Sequence, residues 1–355
     1  MKVTVVEKYY TRACNFYYGK KSLEKVAKRT ALPLSKNKFL SFDKIEIITR
    51  NKKKTINITQ IGLLNKKLQK KIKSDLNLIT KKKYFKNLNF TNSPLLMGII
   101  NLTPDSFSDG GKYNKKNKAY NYAKELVKKG CAILDIGGES TRPGSNEVKK
   151  NVEWKRISKH LVKIKKLKKF ISLDTRKSWI MERGILHKVN LINDVSGLNY
   201  DTNTLNVIKK TNIPFVIHHM QGNPRTMQKN PKYKNVLLDI YDFFENKISE
   251  VRKKGIFHNN IILDPGIGFG KNLKHNLTLL SKISIFHSLG FPIMLGLSKK
   301  RFIKELSGNN DSKERIGGTI SSSLYAMMQG VQILRVHDVN EVKQSFKVFK
   351  SLNLK

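Results

Sequence analysis

From Leu95 to the C-terminal end, short apolar runs alternate with amphipathic stretches at a regular interval. Strand-like runs fall at 96–101, 131–135, 170–174, 189–193, 213–218, 260–264, 291–295 and 331–336. Helical periodicity fills the gaps, at Lys115–Lys129, Val236–Lys254 and Lys313–Met328, and a last amphipathic segment runs from Asn340 to Leu352. Runs that are apolar at successive positions predict strands buried on both faces of a parallel sheet. Eight strand–helix units in this span predict an α/β fold, a (β/α)8 TIM barrel. An open doubly wound sheet is the runner-up, but its first turn would carry Gly-x-Gly-x-x-Gly, and Asn101-Leu102-Thr103-Pro104 does not. Most runs stop at a charged or amide residue, as in Ile99-Ile100-Asn101, Leu134-Asp135, Leu173-Asp174, Ile192-Asn193 and Leu263-Asp264. The carboxyl ends of parallel strands share one face, and there α/β folds place their chemistry.

Residues 1–93 differ from this pattern and read as a small basic N-terminal extension, with the barrel occupying 94–355. They hold the lysine runs Lys52-Lys53-Lys54, Lys66-Lys67 and Lys81-Lys82-Lys83 and no chemical motif. A strand is predicted over Lys44–Thr49 and a basic helix over Asn65–Leu78, in an accessory layer or a partly disordered arm. The net charge of +44 first suggests a nucleic-acid partner. Only 12 of the 70 basic residues are Arg, however, and the lysines are spread over nearly every helix and loop. Nucleic-acid sites use Arg forks and interleaved aromatics, so solvated surface lysines are the better reading, with a field that draws in small anions. Two cysteines exclude a disulfide framework or a Cys-based zinc site. No apolar run approaches the ~18 residues of a membrane span, and a signal-peptide core is missing, so a cytoplasmic setting is expected.

Two turns are too elaborate for plain connectors. The first runs Asn101-Leu102-Thr103-Pro104-Asp105-Ser106-Phe107-Ser108-Asp109-Gly110-Gly111, and the second Asp135-Ile136-Gly137-Gly138-Glu139-Ser140-Thr141-Arg142-Pro143-Gly144. In the second, glycine amides, a hydroxyl and Arg142 together suit an oxyanion. These segments resemble the signature stretches of the dihydropteroate synthase family, the pterin-binding barrels of folate biosynthesis. The resemblance continues through Leu173-Asp174-Thr175, Ile192-Asn193-Asp194, His219-Met220-Gln221-Gly222, Leu263-Asp264-Pro265-Gly266, Gly296-Leu297-Ser298-Lys299-Lys300 and Arg335-Val336-His337. It covers residues 95 to about 345 in family order.

The resemblance implies condensation of a dihydropterin methyl diphosphate with 4-aminobenzoate, giving 7,8-dihydropteroate and diphosphate. It implies that Asp174, Asn193 and Asp264 match the donor–acceptor edge of the pterin, with Lys300 reaching the ring. Asp174, Lys300 and Arg335 are then the catalytic set. Asn101 would hold Mg2+ and, with Thr141, Arg335 and His337, meet the diphosphate. Phe107, Thr141, Pro143, Phe269, Ser298 and Arg301 would surround the aminobenzoate. The residue types suit these tasks: amide oxygens are ligands for a hard cation, and Arg335 and His337 alternate on one strand and so share a face. Asp135 is expected near the pterin without a defined role. A homodimer and competition by sulfonamides are also implied by the resemblance.

The chain departs from the family pattern in places. Lys299 stands where an Arg is usual, Arg301 where a Ser is usual, and His218 where a Met commonly precedes the His-Met pair. Two other readings are a methyltetrahydrofolate-dependent methyltransferase of the same barrel class and an impaired paralogue that only binds. Both loop motifs, together with Asn101, Arg335 and His337, favour the synthase.

Overall fold

The computed structural model describes residues 7–85, 88–90, 94–103, 117–141, 144–308 and 311–354. Its N-terminal part is an antiparallel sheet with two helices: β1 (Tyr10–Tyr18), α1 (Gly19–Ala27), β2 (Leu32–Leu34), β3 (Asn37–Ile48), β4 (Lys53–Asn57) and α2 (Lys66–Thr80). β3 is central, paired with β1 along one edge and with β2 and β4 in succession along the other. Helix α2 starts where the Asn65 side chain accepts the Leu68 N–H, a standard amino-terminal cap. Its Ile72, Leu76 and Ile79 recur on one helical face and bury against Phe42, Ile45 and Ile56 of the sheet. The basic extension is therefore a folded layer with its own apolar core. The segment 44–49 is the end of a longer strand, β3, rather than a strand by itself.

This layer is fixed to the barrel by contacts that bury polar tips as well as rings. Tyr10 packs edge-on against Tyr241 at 5.1 Å and donates its hydroxyl to Asp242. Arg50 bridges Asp239 and Asp242 at 2.7 and 2.6 Å. Tyr18 meets Phe349 at 5.2 Å and donates to the Met328 carbonyl.

The larger part follows the predicted alternation. Its strands are β5 (Leu95–Asn101), β6 (Ile133–Gly137), β7 (Phe170–Asp174), β8 (Leu191–Asp194), β9 (Phe215–His218), β10 (Ile261–Asp264), β11 (Met294–Gly296) and β12 (Ile333–Val336). The helices are α3 (Lys118–Lys128), α4 (Lys150–Lys165), α5 (Ser178–Leu186), α6 (Thr204–Thr211), α7 (Val236–Lys253), α8 (Leu273–Ser281), α9 (Arg301–Ser307), α10 (Ile316–Met328) and α11 (Val339–Leu354). All strand pairs are parallel, in the order β10-β9-β8-β7-β6-β5-β12-β11. A bridge between Leu263 and Ile293 joins the two ends, so the sheet closes as a (β/α)8 TIM barrel. The predicted helix over 313–328 begins with a 3-10 turn at Lys313–Arg315, and the predicted helix start at 115 lies outside the described residues.

Side chains alternate between the barrel lumen and the helical jacket. Met97, Ile133, Leu191, Val216, Ile262, Met294 and Ile333 point inward as one apolar layer. Phe85 and Phe90, from the segment joining the two parts, close the layer from below, with Phe85 fully buried 6.4 Å from Phe170. Two residues further along β6, β8, β9, β10 and β12, the inward positions turn polar, as Asp135, Asn193, His218, Asp264 and Arg335. We expect Phe85→Ala to cost about 3–5 kcal/mol, because the emptied volume lies under a closed ring of strands that cannot collapse into it. Urea unfolding followed by circular dichroism checks this, and a loss below about 1 kcal/mol would show that the plug is dispensable.

Candidate active site

Strand register sets the height of each site residue. Asn101 is level with Gly137, Gly137 with Asp174, and Asp174 with Asn193. Asp135 lies two residues before Gly137 on β6, and Arg335 is in register with Met97 of β5. Arg335 donates from Nε to Asp135 Oδ2 at 2.6 Å and from Nη2 to Asp174 Oδ2 at 2.7 Å, spanning the lumen between β12, β6 and β7. Asn193 donates to the same Asp135 oxygen at 3.3 Å. Asp135, buried at 0% exposure, is thus the hub of the polar layer, a role its sequence position alone did not supply. The remaining acceptors, Asp135 Oδ1 and Asn193 Oδ1, have no partner among the described residues. Orphaned buried acceptors of this kind cost about 1–3 kcal/mol each unless a ligand satisfies them.

A cavity opens above this layer, lined by Asn193, His218, Asp264, Phe269, Lys300 and Arg335. Burial pushes the Asp174 carboxyl up to about 8, with Asp135 adding to the push and Arg335 opposing it. Burial also raises Asp264 to about 6, offset by the Gly266 N–H and by Lys300. It lowers Lys300 to about 8, with the Arg335 charge contributing. Lys300 lies over the Phe269 ring at 4.1 Å, a cation–π contact that holds it in the wall. His218 stacks edge-on with Phe269 at 4.7 Å and places Nδ1 2.9 Å from the Val195 carbonyl, which fixes the proton on Nδ1. Burial keeps it neutral, so the departure at 218 puts an uncharged flat ring where a Met is usual. Gly266 adopts a φ of +67°, and a Cβ there would lie 2.0 Å from the His219 carbonyl. Only glycine lets this turn present its N–H to Asp264 Oδ1 at 2.8 Å.

The other predicted site residues are distributed unevenly. Asn101 ends β5 half-buried, and Thr141 is half-buried at the start of the second loop. His337 Nδ1 lies 3.1 Å from Ser298 Oγ, so the seventh and eighth loops meet. Arg301 does not join them: it is 65% exposed and pairs with Glu305 one turn along α9 at 2.6 Å. Phe107 and Pro143 lie outside the described residues, as does Arg142.

Sequence reasoning passed over a buried ionic cluster behind the second loop. Glu139 accepts from Arg176 Nε at 3.0 Å and from the Val148 N–H at 2.8 Å, and pairs with Lys177 at 3.0 Å. Glu153 accepts from Lys177 at 2.6 Å and from Thr175 at 2.7 Å. Burial works to raise the Glu139 carboxyl, but Arg176, the Val148 amide and Lys177 outweigh it and hold it below the usual range. Arg176 also stacks on the Tyr200 ring at 4.0 Å, and the Tyr200 hydroxyl donates to Glu147. One carboxylate thus clasps the start of the second loop to its end and to the third loop. The adjacent charges Arg176-Lys177 after a strand were the available signal, but sequence gives no partner for them.

A closed barrel with convergent buried carboxylates, an amide and two cations at its carboxyl mouth defines a barrel enzyme that can read a flat polar heterocycle. Residues 97–337 match the family described as pterin binding enzyme. The dihydropteroate synthase of Neisseria meningitidis serogroup B is 41% identical over 266 residues, covering 74% of this chain and 93% of that protein. That of Escherichia coli K12 is 39% identical over 259 residues, covering 73% and 91%. Among solved structures, the Yersinia pestis dihydropteroate synthase in a sulfonamide drug complex superposes with a TM-score of 0.70 at 36% identity, covering 76% of this chain and 97% of that one. The Xanthomonas albilineans enzyme in complex with 7,8-dihydropteroate gives 0.68 at 31% identity, covering 76% and 96%. The chain belongs to the pterin-binding enzymes and, within them, to the dihydropteroate synthase family.

Two outcomes are expected from this geometry. Glu139→Gln leaves Arg176 and Lys177 short of a counter-charge and should cost roughly 2–3 kcal/mol. Hydrogen exchange should quicken across 138–149 and not across β9 or β10. Asp264→Asn should stabilise the fold at high pH. The Asp264 carboxyl is raised in the folded protein, so between about pH 4 and pH 6 the folded state holds more protons than the unfolded one, and stability falls as pH rises. The variant lacks that loss, gaining on the order of 2 kcal/mol at pH 8 and nothing below about pH 4. Thermal melts across pH settle it, and equal gains at both ends would refute the burial account.

Proposed function

We infer that the protein is a dihydropteroate synthase, a transferase of folate biosynthesis. It joins (7,8-dihydropterin-6-yl)methyl diphosphate to 4-aminobenzoate, giving 7,8-dihydropteroate and diphosphate. The observation that carries this reading is the convergence of Asn193, Asp264, Lys300 and Arg335 on one cavity above a closed barrel floor, with Asp174 bonded to Arg335 at its edge. Known relatives supply the reaction, and this cavity offers the chemistry for it.

On this reading the amino-pyrimidinone edge of the pterin donates to Asp174 and Asp264 and exchanges hydrogen bonds with Asn193. The vacant Asn193 Oδ1 is available for a ring N–H. The His218 and Phe269 rings and the Lys300 stem form walls that exclude water from one face. The carbon–oxygen bond to the diphosphate breaks, and the positive charge that develops on the pterin methylene is spread into the electron-rich ring. The aminobenzoate nitrogen then forms the new carbon–nitrogen bond and releases its proton. Nothing here requires a covalent enzyme intermediate, so the protein acts through positioning and through fixed charge. Arg335 would leave part of its carboxylate pairing to meet the diphosphate, next to His337. Thr141, Phe107, Pro143, Phe269, Ser298 and Arg301 remain the proposed surroundings of the aminobenzoate, with Arg301 having to swing from Glu305 to take part.

Mg2+ is proposed to travel with the diphosphate rather than to reside in the protein. Among the described residues no three His, Cys, Asp or Glu side chains gather into a cation cage. Asn101 offers one hard amide oxygen at the strand end, which fits an ion that takes most of its ligands from phosphate and water. When bound, the ion would neutralise the leaving group.

A homodimer is also proposed. Leu306 on α9 and Tyr325 on α10 are exposed large apolar residues, which supports an interface there. No described helix is long and apolar enough to cross a membrane, and a cytoplasmic setting is proposed with it.

The test is diphosphate release by the purified chain given pterin diphosphate, Mg2+ and 4-aminobenzoate, with a sulfonamide as competitor of the amine. Asp174→Asn should lower kcat at least ~100-fold, because it removes one anchor of the pterin edge and the acceptor that orients Arg335. No turnover by the parent protein, or turnover untouched by the substitution, would overturn the reading.

A further inference from the structure

The N-terminal layer and the barrel leave a second cleft between them, at the amino-terminal end of the strands and so opposite the active site. Its volume is about 880 Å3, open solvent included. Leu40, Phe90 and Met327 supply apolar walls, and Lys36, Lys82 and Lys83 line it as cations. Lys83 is the unusual one. It is only 3% exposed, and its Nζ donates to two carbonyls, Leu78 at 2.5 Å and His287 at 3.4 Å. Among the described residues no carboxylate pairs with it. Burial, with the Lys81 charge adding, lowers it to about 7. Lysine carries three donors, so one N–H of the protonated form is still without an acceptor. One further polar atom of the lining, Ser35 Oγ, lacks a partner among the described residues. A buried ammonium without a counter-charge is costly, and an anion entering beside it would remove that cost.

We propose that this cleft is a binding site for a small organic anion, a carboxylate or phosphate ester carrying an apolar or aromatic body. The anionic head sits against Lys83 and Lys82, and the body lies along Leu40, Phe90 and Met327. Because both the layer and the barrel contribute walls, a bound anion ties the two together.

Phenyl phosphate serves as the probe, titrated calorimetrically into the full-length chain, with phenol as its uncharged control and inorganic phosphate as the head alone. Phenyl phosphate should bind more tightly than either. Lys83→Met should weaken it about tenfold, the worth of one charge-assisted contact. Lys36→Glu, at the exposed rim where folding is not at stake, should weaken it several-fold. Arg335→Met, which disables the barrel mouth instead, should leave this binding intact. Binding lost in Arg335→Met and kept in the two lysine variants assigns the anion to the active site and overturns the proposal. So does the absence of binding up to about 10 mM, or equal binding of phenol.

Discussion

The bridge from Arg335 to Asp135 and Asp174 is the constraint on which the site depends. It crosses the barrel lumen one layer above a floor of aliphatic side chains and phenylalanines. The guanidinium is largely withdrawn from water and pairs with two carboxylates, Asp135 of β6 and Asp174 of β7. Its two bonds fix the orientation of both aspartates, and through Asp135 the amide of Asn193. Buried ion pairs often add little net stability. What this one provides is a polar floor with two vacant acceptors, one of them on Asn193 in the cavity wall.

That floor would be useless without the apolar plug below it. Met97, Ile133, Leu191 and their neighbours shut the lumen, and Phe85 and Phe90 seal its lower end. The same closure keeps the dielectric around Asp174, Asp264 and Lys300 low, which is why their proton affinities move so far. Stability and chemistry pull against each other here: each buried ionisable group at the mouth costs folding free energy and is tolerated because its charge is aimed at substrate. The jacket of helices and the folded basic layer on α7, α10 and α11 supply the apolar burial that offsets that cost.

The second loop shows how positioning extends outward from the strand ends. Glu139 follows directly after the Gly-Gly turn, yet its partners lie on the next loop, in Arg176 and Lys177, and at the far end of its own loop, in Val148. Arg176 in turn stacks on Tyr200 from the loop after. The three loops are therefore held as a unit at their stems.

Much of this was legible in the sequence. Apolar runs ending in Asp or Asn gave the strands, their parallel pairing and the polar mouth, because strand burial and side-chain alternation are local consequences of residue order. The motif residues Asn193, Asp264, Lys300 and Arg335 meet in one cavity, and Asp174 joins them through Arg335. The tertiary structure decided who pairs with whom. Asp135 looked like a strand end without a task and is the hub of the floor; Arg301 looked like part of the amine pocket and turns away to Glu305; residues 10–80 showed one strand and one helix and fold into a four-stranded sheet with two helices. Each depends on contacts between residues far apart in the chain. Hydrophobic periodicity reports the faces a segment buries, but the partner across the lumen is set only when eight strands close into a ring.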